Sequence, residues 1–150
     1  MKRHPSLHAL SEEHHLGLVN ARRLRRAAGA DPAAAAEAAR AFPAFGEQHL
    51  APHFRAEEEP LLPRFALYAA DHPLTARTLL EHVRTRRWAL DVRCRIERGD
   101  DLRADLAWMG RFLDDHIRFG ERILFPAIEQ AVPEPGMEAL AAALAAYNVA

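Results

Sequence analysis

Two stretches, HFRAEEEPLLP from His53 to Pro63 and HIRFGERILFP from His116 to Pro126, superimpose without a gap. His53/His116, Arg55/Arg118, Glu58/Glu121, Leu61/Leu124 and Pro63/Pro126 share their offsets. A histidine followed by carboxylates, used twice, suits coordination chemistry, because neutral imidazole is the commonest protein metal ligand. Nitrogen and oxygen donors without thiolate suit iron, manganese or zinc and exclude an iron–sulfur cluster. On a helix His53 and Glu57 lie one turn apart on the same face, so they can grip one ion, or Glu57 can bridge two. The copies differ at one point: Gly120 stands where Glu57 would be expected. Glu121 follows its histidine by one residue more, which turns it roughly 100° away on an ideal helix. A π-type turn eased by Gly120 would swing Glu121 inward. Without such a turn Glu121 is a surface acid, and the site holds one metal or none.

Histidine is abundant, with 9 residues, and further candidates lie outside the repeat. His14 and its rival His15 are the choices on the first helix. His14 is preferred, because it sits four residues from both Leu10 and Leu18. His82 falls on an apolar stripe of the third helix. His49, one turn before His53, either joins the site or is a polar edge residue beside Pro52. Glu58, equivalent to Glu121 in the repeat, is a further carboxylate candidate.

The elements that must position these groups are helical. Alanine, leucine, arginine and glutamate dominate, period-two alternation is scarce and β-branched residues are sparse. Punctuation predicts four long runs: Pro5 to Ala28 with Ser6 as a cap, Pro32 to Tyr68, Pro73 to Arg98, and Asp101 to Ala131. A short fifth helix follows "VPEPG". Pro43, Pro52, Pro60 and Pro63 predict kinks in the second run, and the trailing Leu-x-Pro of each repeat is expected to stop its helix. Short connections favour an all-α, up-down-up-down antiparallel four-helix bundle with an extra C-terminal helix, as one domain over residues 1–150. The apolar stripes read Leu7, Leu10, His14, Leu18, Ala21, Leu24; then Phe42, Phe45, His49, His53; then Leu79, His82, Ala89, Val92, Ile96; and Leu102, Leu106, Met109, Leu113, His116, Ile123. Each interrupts its apolar face with a histidine. The heights of these histidines are similar enough to predict that imidazoles from four helices meet in mid-bundle.

Composition narrows the function. A formal net charge of −1 removes the electrostatic case for nucleic acid. All but one of the 20 basic residues are arginine. The cluster Arg22, Arg23, Arg25 and Arg26 is expected to be a solvated helix face rather than a phosphate site. A single cysteine excludes an internal disulfide and a cysteine metal knuckle. No signal-like or membrane-spanning apolar run appears, which predicts a cytoplasmic protein without membrane partners.

The blocks "LSEEHHLGLVNARRL", "HLAPHFRAEEEPLLP", "LLEHVRTRR" and "HIRFGERILFP", in that order, resemble the hemerythrin-like (HHE cation-binding) domains from about Leu7 to Ile128. The resemblance implies a four-helix bundle holding a non-haem di-iron centre bridged by carboxylates. Carried over, it implies His14, His53, Glu57, His82 and His116 as metal ligands, with Glu121 turned inward. The oxygen-carrying hemerythrins likewise place their last carboxylate five residues after a histidine. They also have a second histidine one turn from His82, whereas Thr78 and Arg86 occupy those places here.

Three classes of function follow. The favoured one is an iron protein, with zinc or manganese as alternatives, that binds or senses oxygen or another small diatomic, or iron or redox state. Its ligand pocket would draw on Phe45, Phe54, Phe112, Leu113 and Phe119, and a homodimer is a candidate assembly. The second is a di-iron oxidase or peroxidase-like enzyme. Catalytic bundles of that kind show two Glu-x-x-His motifs, and this chain has one, Glu12 to His15. The third is a metal-free helical interaction module.

Overall fold

The computed structural model describes residues 3–147, and among them there is no strand. The helices are α1 (His8–Ala28), α2 (Pro32–Phe45), α3 (Ala51–Ala56), α4 (Leu62–Ala66), α5 (Pro73–Glu97), α6 (Arg103–Phe119), α7 (Phe125–Ala131) and α8 (Glu134–Leu144). α1 packs along α6, α2 packs along α5, and α1 with α2 and α5 with α6 close a helical bundle. No helix among the described residues is long and apolar enough to cross a membrane.

Local chemistry sets the boundaries. Asp31 caps α2 by accepting from the backbone N–H groups of Ala33 and Ala34, both at 3.0 Å, with Pro32 in the first turn. His72 caps α5 by accepting from Leu74 N–H. Gly99, at φ +75°, ends that helix in a left-handed turn closed to most side chains. Asp101 accepts from Arg103 N–H at the start of α6. Ser6 is not a cap: its hydroxyl donates to the Met137 carbonyl and ties the N-terminal 3₁₀ turn to α8.

The run from Pro32 to Ala66 and the run from Arg103 to Ala131 are each continuous but change pitch. Three π-helical turns interrupt them, at Gly46–Leu50, Glu57–Leu61 and Gly120–Leu124. The amides of Ala51, Leu62 and Phe125 reach back five residues, to the carbonyls of Gly46, Glu57 and Gly120. A proline follows each of these donors: Pro52, Pro63 and Pro126. A proline cannot donate to the carbonyl four residues back, and its ring crowds that carbonyl. Widening the turn by one residue relieves both problems. The prolines that close the repeat therefore do not stop their helices, which continue as α4 and α7; they force an extra residue into the turn before them.

That extra residue corrects several stripe assignments. Within the last π turn Leu124 is buried and Ile123 is 48% exposed, and His49, inside the first, is turned to the surface. On α5 the buried face is Thr78, His82, Thr85, Trp88 and Val92, whereas Leu79 is exposed. Thr78 and Thr85 can be buried because their hydroxyls donate to the carbonyls of Leu74 and Glu81, one turn back. Arg22, Arg23, Arg25 and Arg26 form an exposed face, as expected.

Two apolar clusters make the core. One gathers Leu10, Leu61, Phe65, Phe125, Ile128 and Leu140, the last from α8. The other gathers Leu24, Phe42, Phe54, Val92, Leu106 and Met109. His14 lies between Leu10 of the first and Ala21 of the second, and His116 between Leu113 of the second and Phe119 of the first. The histidines thus occupy a polar layer where the two clusters meet.

Candidate metal centre

His14, His53, Glu57, His82 and His116 are all buried, one imidazole each from α1, α3, α5 and α6. They fall into two groups whose donor atoms lie within 4.8 Å of one another: His14, His53 and Glu57, and Glu57, His82 and His116. Glu57 belongs to both, its Oε1 lying 3.6 Å from His53 Nε2 and its Oε2 3.0 Å from His82 Nε2.

Each imidazole is held from behind by a carboxylate at its Nδ1. The pairs are His14 with Glu121 at 2.6 Å, His53 with Glu13 at 2.8 Å, His82 with Glu58 at 2.8 Å and His116 with Glu81 at 2.7 Å. These four pairs close a ring. α1 supplies Glu13 to the first repeat, which supplies Glu58 to α5; α5 supplies Glu81 to the second repeat, which returns Glu121 to α1. The conserved offset of Glu58 and Glu121 within the repeat is thereby explained, since each orients a histidine on the neighbouring helix. An ionised carboxylate only accepts, so each Nδ1 carries its hydrogen and leaves the opposite nitrogen as a lone pair. This is the arrangement by which outer carboxylates fix the tautomer and raise the basicity of metal-binding histidines. Arginines hold three of the carboxylates in turn: Arg3 on Glu121 at 2.9 Å, Arg86 on Glu58 at 3.0 Å and Arg77 on Glu81 at 2.8 Å. Ring stacking fixes the imidazole planes, with Phe54 over His82 at 3.8 Å between centroids and Phe125 over His14 at 5.4 Å.

The inner atoms fit a cation. His82 Nε2 and Glu57 Oε2 are 3.0 Å apart, yet their angles do not make a hydrogen bond, and both are buried without a partner. Orphaned buried groups of this kind cost about 1–3 kcal/mol each. His14 Nε2 and His53 Nε2 face each other at 3.1 Å, so with both Nδ1 hydrogens engaged two lone pairs meet head-on unless a positive charge lies between them. In the metal-free protein a proton serves. Burial opposes charge on His53, but Glu57 and Glu13 outweigh it and raise its pKa to about 9. Burial lowers the pKa of His14, assisted by charged His53 and resisted by Glu121. Burial resists ionisation of Glu57, yet His53 and His82 hold its carboxyl well below the usual range. Glu121, with burial again opposed, is brought down to about 2 by His14, Ser11 and Arg3.

The residues anticipated from sequence divide cleanly. His14, His53, Glu57, His82 and His116 converge. Glu121 turns inward on the Gly120–Leu124 π turn, as the five-residue spacing suggested, but it meets His14 Nδ1 and stands outside the converging donors. Glu58 does the same for His82. His15 is exposed, turned away from the converging donors. His49 is exposed at the mouth of a cavity. At Gly120 a Cβ would lie 3.1 Å from His14 Cε1, so a side chain there would push on the His14 ring. Glu13 and Glu81 escaped the sequence reading. Their signal was the dipeptide Glu-His, which occurs only at Glu13–His14 and Glu81–His82.

A cavity of about 470 Å³ leads from the surface to His14, His53 and His116. Phe45, Phe54 and Leu113 line it as expected. Phe119 is buried in the core beside Leu124, and Phe112 stacks on Trp108; neither reaches the cavity.

No curated protein and no solved structure matches the chain. The family model of the hemerythrin HHE cation binding domain matches residues 6–128, a span that contains both repeats, all four imidazoles and every carboxylate of the ring. Four buried imidazoles and a shared buried glutamate could hold a cation, and this chain belongs to the hemerythrin HHE cation-binding domain family.

Proposed function

We propose that this single-domain, up-down-up-down bundle is a non-haem di-iron protein that reversibly binds oxygen or another small diatomic. The observation that carries this reading is Glu57, whose two carboxylate oxygens face different histidine pairs. One ion would take His14, His53 and one Glu57 oxygen; the second would take His82, His116 and the other. Glu13, Glu58, Glu81 and Glu121 orient the imidazoles rather than coordinate. Two nitrogens and one shared carboxylate leave each ion open positions, and iron there would supply the affinity for a diatomic ligand. Hydrocarbon flanks the polar layer on both sides and forms most of the wall of the cavity that reaches it, an environment that favours ligand binding. The oxidase or peroxidase alternative gains nothing from Glu12 and His15, both exposed.

Elemental analysis of untagged protein should give two iron atoms per chain, and an optical band formed in air should bleach reversibly under reducing, anaerobic conditions. One metal or none per chain would overturn the bridging role of Glu57. Irreversible bleaching with substrate turnover would replace the binding reading with the enzymatic one.

A further inference from the structure

The cavity above the centre is far larger than a diatomic requires. Its volume, about 470 Å³, lies within the ~300–1,000 Å³ range of pockets for organic ligands. Its walls are hydrocarbon: Leu16, Phe45, Leu50, Leu113 and Ile117. Gly17 also lines it, and a Cβ there would meet Ile117 Cδ1 at 2.6 Å, so the absence of a side chain lets Ile117 fold across the wall. Gln48 and His49 supply polar groups at the exposed end.

The cavity's charge is as informative as its size. The chain carries 20 basic residues, yet neither arginine nor lysine is among the residues that line it. Of the four carboxylates behind the imidazoles, Glu13 alone lines the cavity, and among the described residues no arginine or lysine pairs with it. An anionic or polar oxygen group entering here therefore finds no arginine or lysine to hold it. At the inner end, His14, His53 and His116 line the cavity, so a metal held there would bind such a group, while Leu16, Phe45, Leu50, Leu113 and Ile117 favour an uncharged apolar body.

We infer that the cavity binds a small organic molecule with an oxygen head group, directed to the metals, and a short unbranched apolar tail lying along Leu16, Leu50, Leu113 and Ile117. This rests on the two-metal reading above and extends it from diatomics to tailed ligands. The head can be a carboxylate or a protic hydroxyl; both present an oxygen to the centre and leave the tail the same path.

The experiment compares azide, a series of linear alkanoates from formate to octanoate, and the matching linear alcohols, each titrated into metal-loaded protein and followed by its optical spectrum and by calorimetry. If the inference holds, affinity rises about fourfold for each buried methylene until the cavity is full, and binding is lost in metal-free protein. A rise in the acid series identifies an anionic head, and a rise in the alcohol series a neutral one. Leu16→Trp, at a side chain 48% exposed, should cost the longest ligand roughly tenfold in affinity by filling the channel. Azide binding with no dependence on chain length in either series overturns the inference and leaves the two-metal reading intact. Failure to load metal overturns both. Chain-length-dependent binding that survives metal removal also overturns it, because the head would then not be held by the metals.

Discussion

Loading the centre with a divalent cation must displace the proton that holds His53 in the metal-free protein. His53 Nε2 stands 3.1 Å from His14 Nε2, where a metal would have to bind. With Glu57 and Glu13 raising the His53 pKa to about 9 despite burial, only ~1% of His53 is neutral at pH 7, since each unit is worth a factor of ten, or about 1.4 kcal/mol. Metal affinity at pH 7 is accordingly reduced on the order of 100-fold relative to its alkaline limit. His14, its pKa lowered by burial, adds no comparable proton. The apparent dissociation constant should fall about tenfold per pH unit from pH 7 to about 9 and then level off. Calorimetry at pH 7.5 in buffers of different ionisation enthalpy should yield close to one proton released from His53 on metal binding. The stability of the metal-free protein moves in the opposite sense. A folded-state pKa above the unfolded value of 6.5 stabilises fully below pH 6.5, and that contribution is lost as pH rises through about 9. The thermal midpoint of metal-free protein should decline across this window, while that of metal-loaded protein should not. Zero proton release between pH 7 and 8, with normal metal stoichiometry, would refute the shared-proton account of His14 and His53.

Three other perturbations test separate parts of the architecture. Glu57→Ala should abolish loading of both ions, whereas His4→Ala and His72→Ala, away from the converging donors, should load normally; equal metal content in all three by elemental analysis would refute the ligand set. Glu121→Gln and Glu58→Gln should each weaken metal binding ~10–100-fold without changing stoichiometry, as read by competition with a chelator. Gly110→Ala should lower stability by about 1–3 kcal/mol, because the new Cβ would lie 2.8 Å from the Ala21 carbonyl where α1 and α6 touch; denaturant titration measures the loss, and a neutral result would show that the helices can separate freely.

Much of the centre was legible in the chain because the converging residues interrupt apolar stripes. His14, His82 and His116 stand where a leucine would otherwise sit, and His53 with Glu57 carries the one-turn spacing of a shared face. The lapses have a common cause. Ile123 and His49 were misplaced because both lie in π turns, where one added residue shifts the exposed and buried sides by about a quarter turn. The prolines that cause those turns were visible, but proline more often ends or kinks a helix than widens it. Leu79 was misplaced because apolarity outranked the threonines, and only the structure shows that Thr78 and Thr85 satisfy their hydroxyls within α5. Glu121 was correctly turned inward, but which imidazole nitrogen it meets depends on the relative depth of α1 and α6, a tertiary quantity that helical periodicity alone does not encode.

The closed circuit of histidine–carboxylate pairs has a consequence for how the protein can be taken apart. A cut in the connection between α4 and α5 would leave an N-terminal piece with Glu13–His53 matched internally and a C-terminal piece with Glu81–His116 matched likewise. His14 and Glu58 on one piece, and His82 and Glu121 on the other, would be left without their mates. Neither piece alone could hold a full donor set, since Glu57 needs imidazoles from both to serve two ions. Separated fragments would thus be obligate complements, and cation uptake would report their reunion.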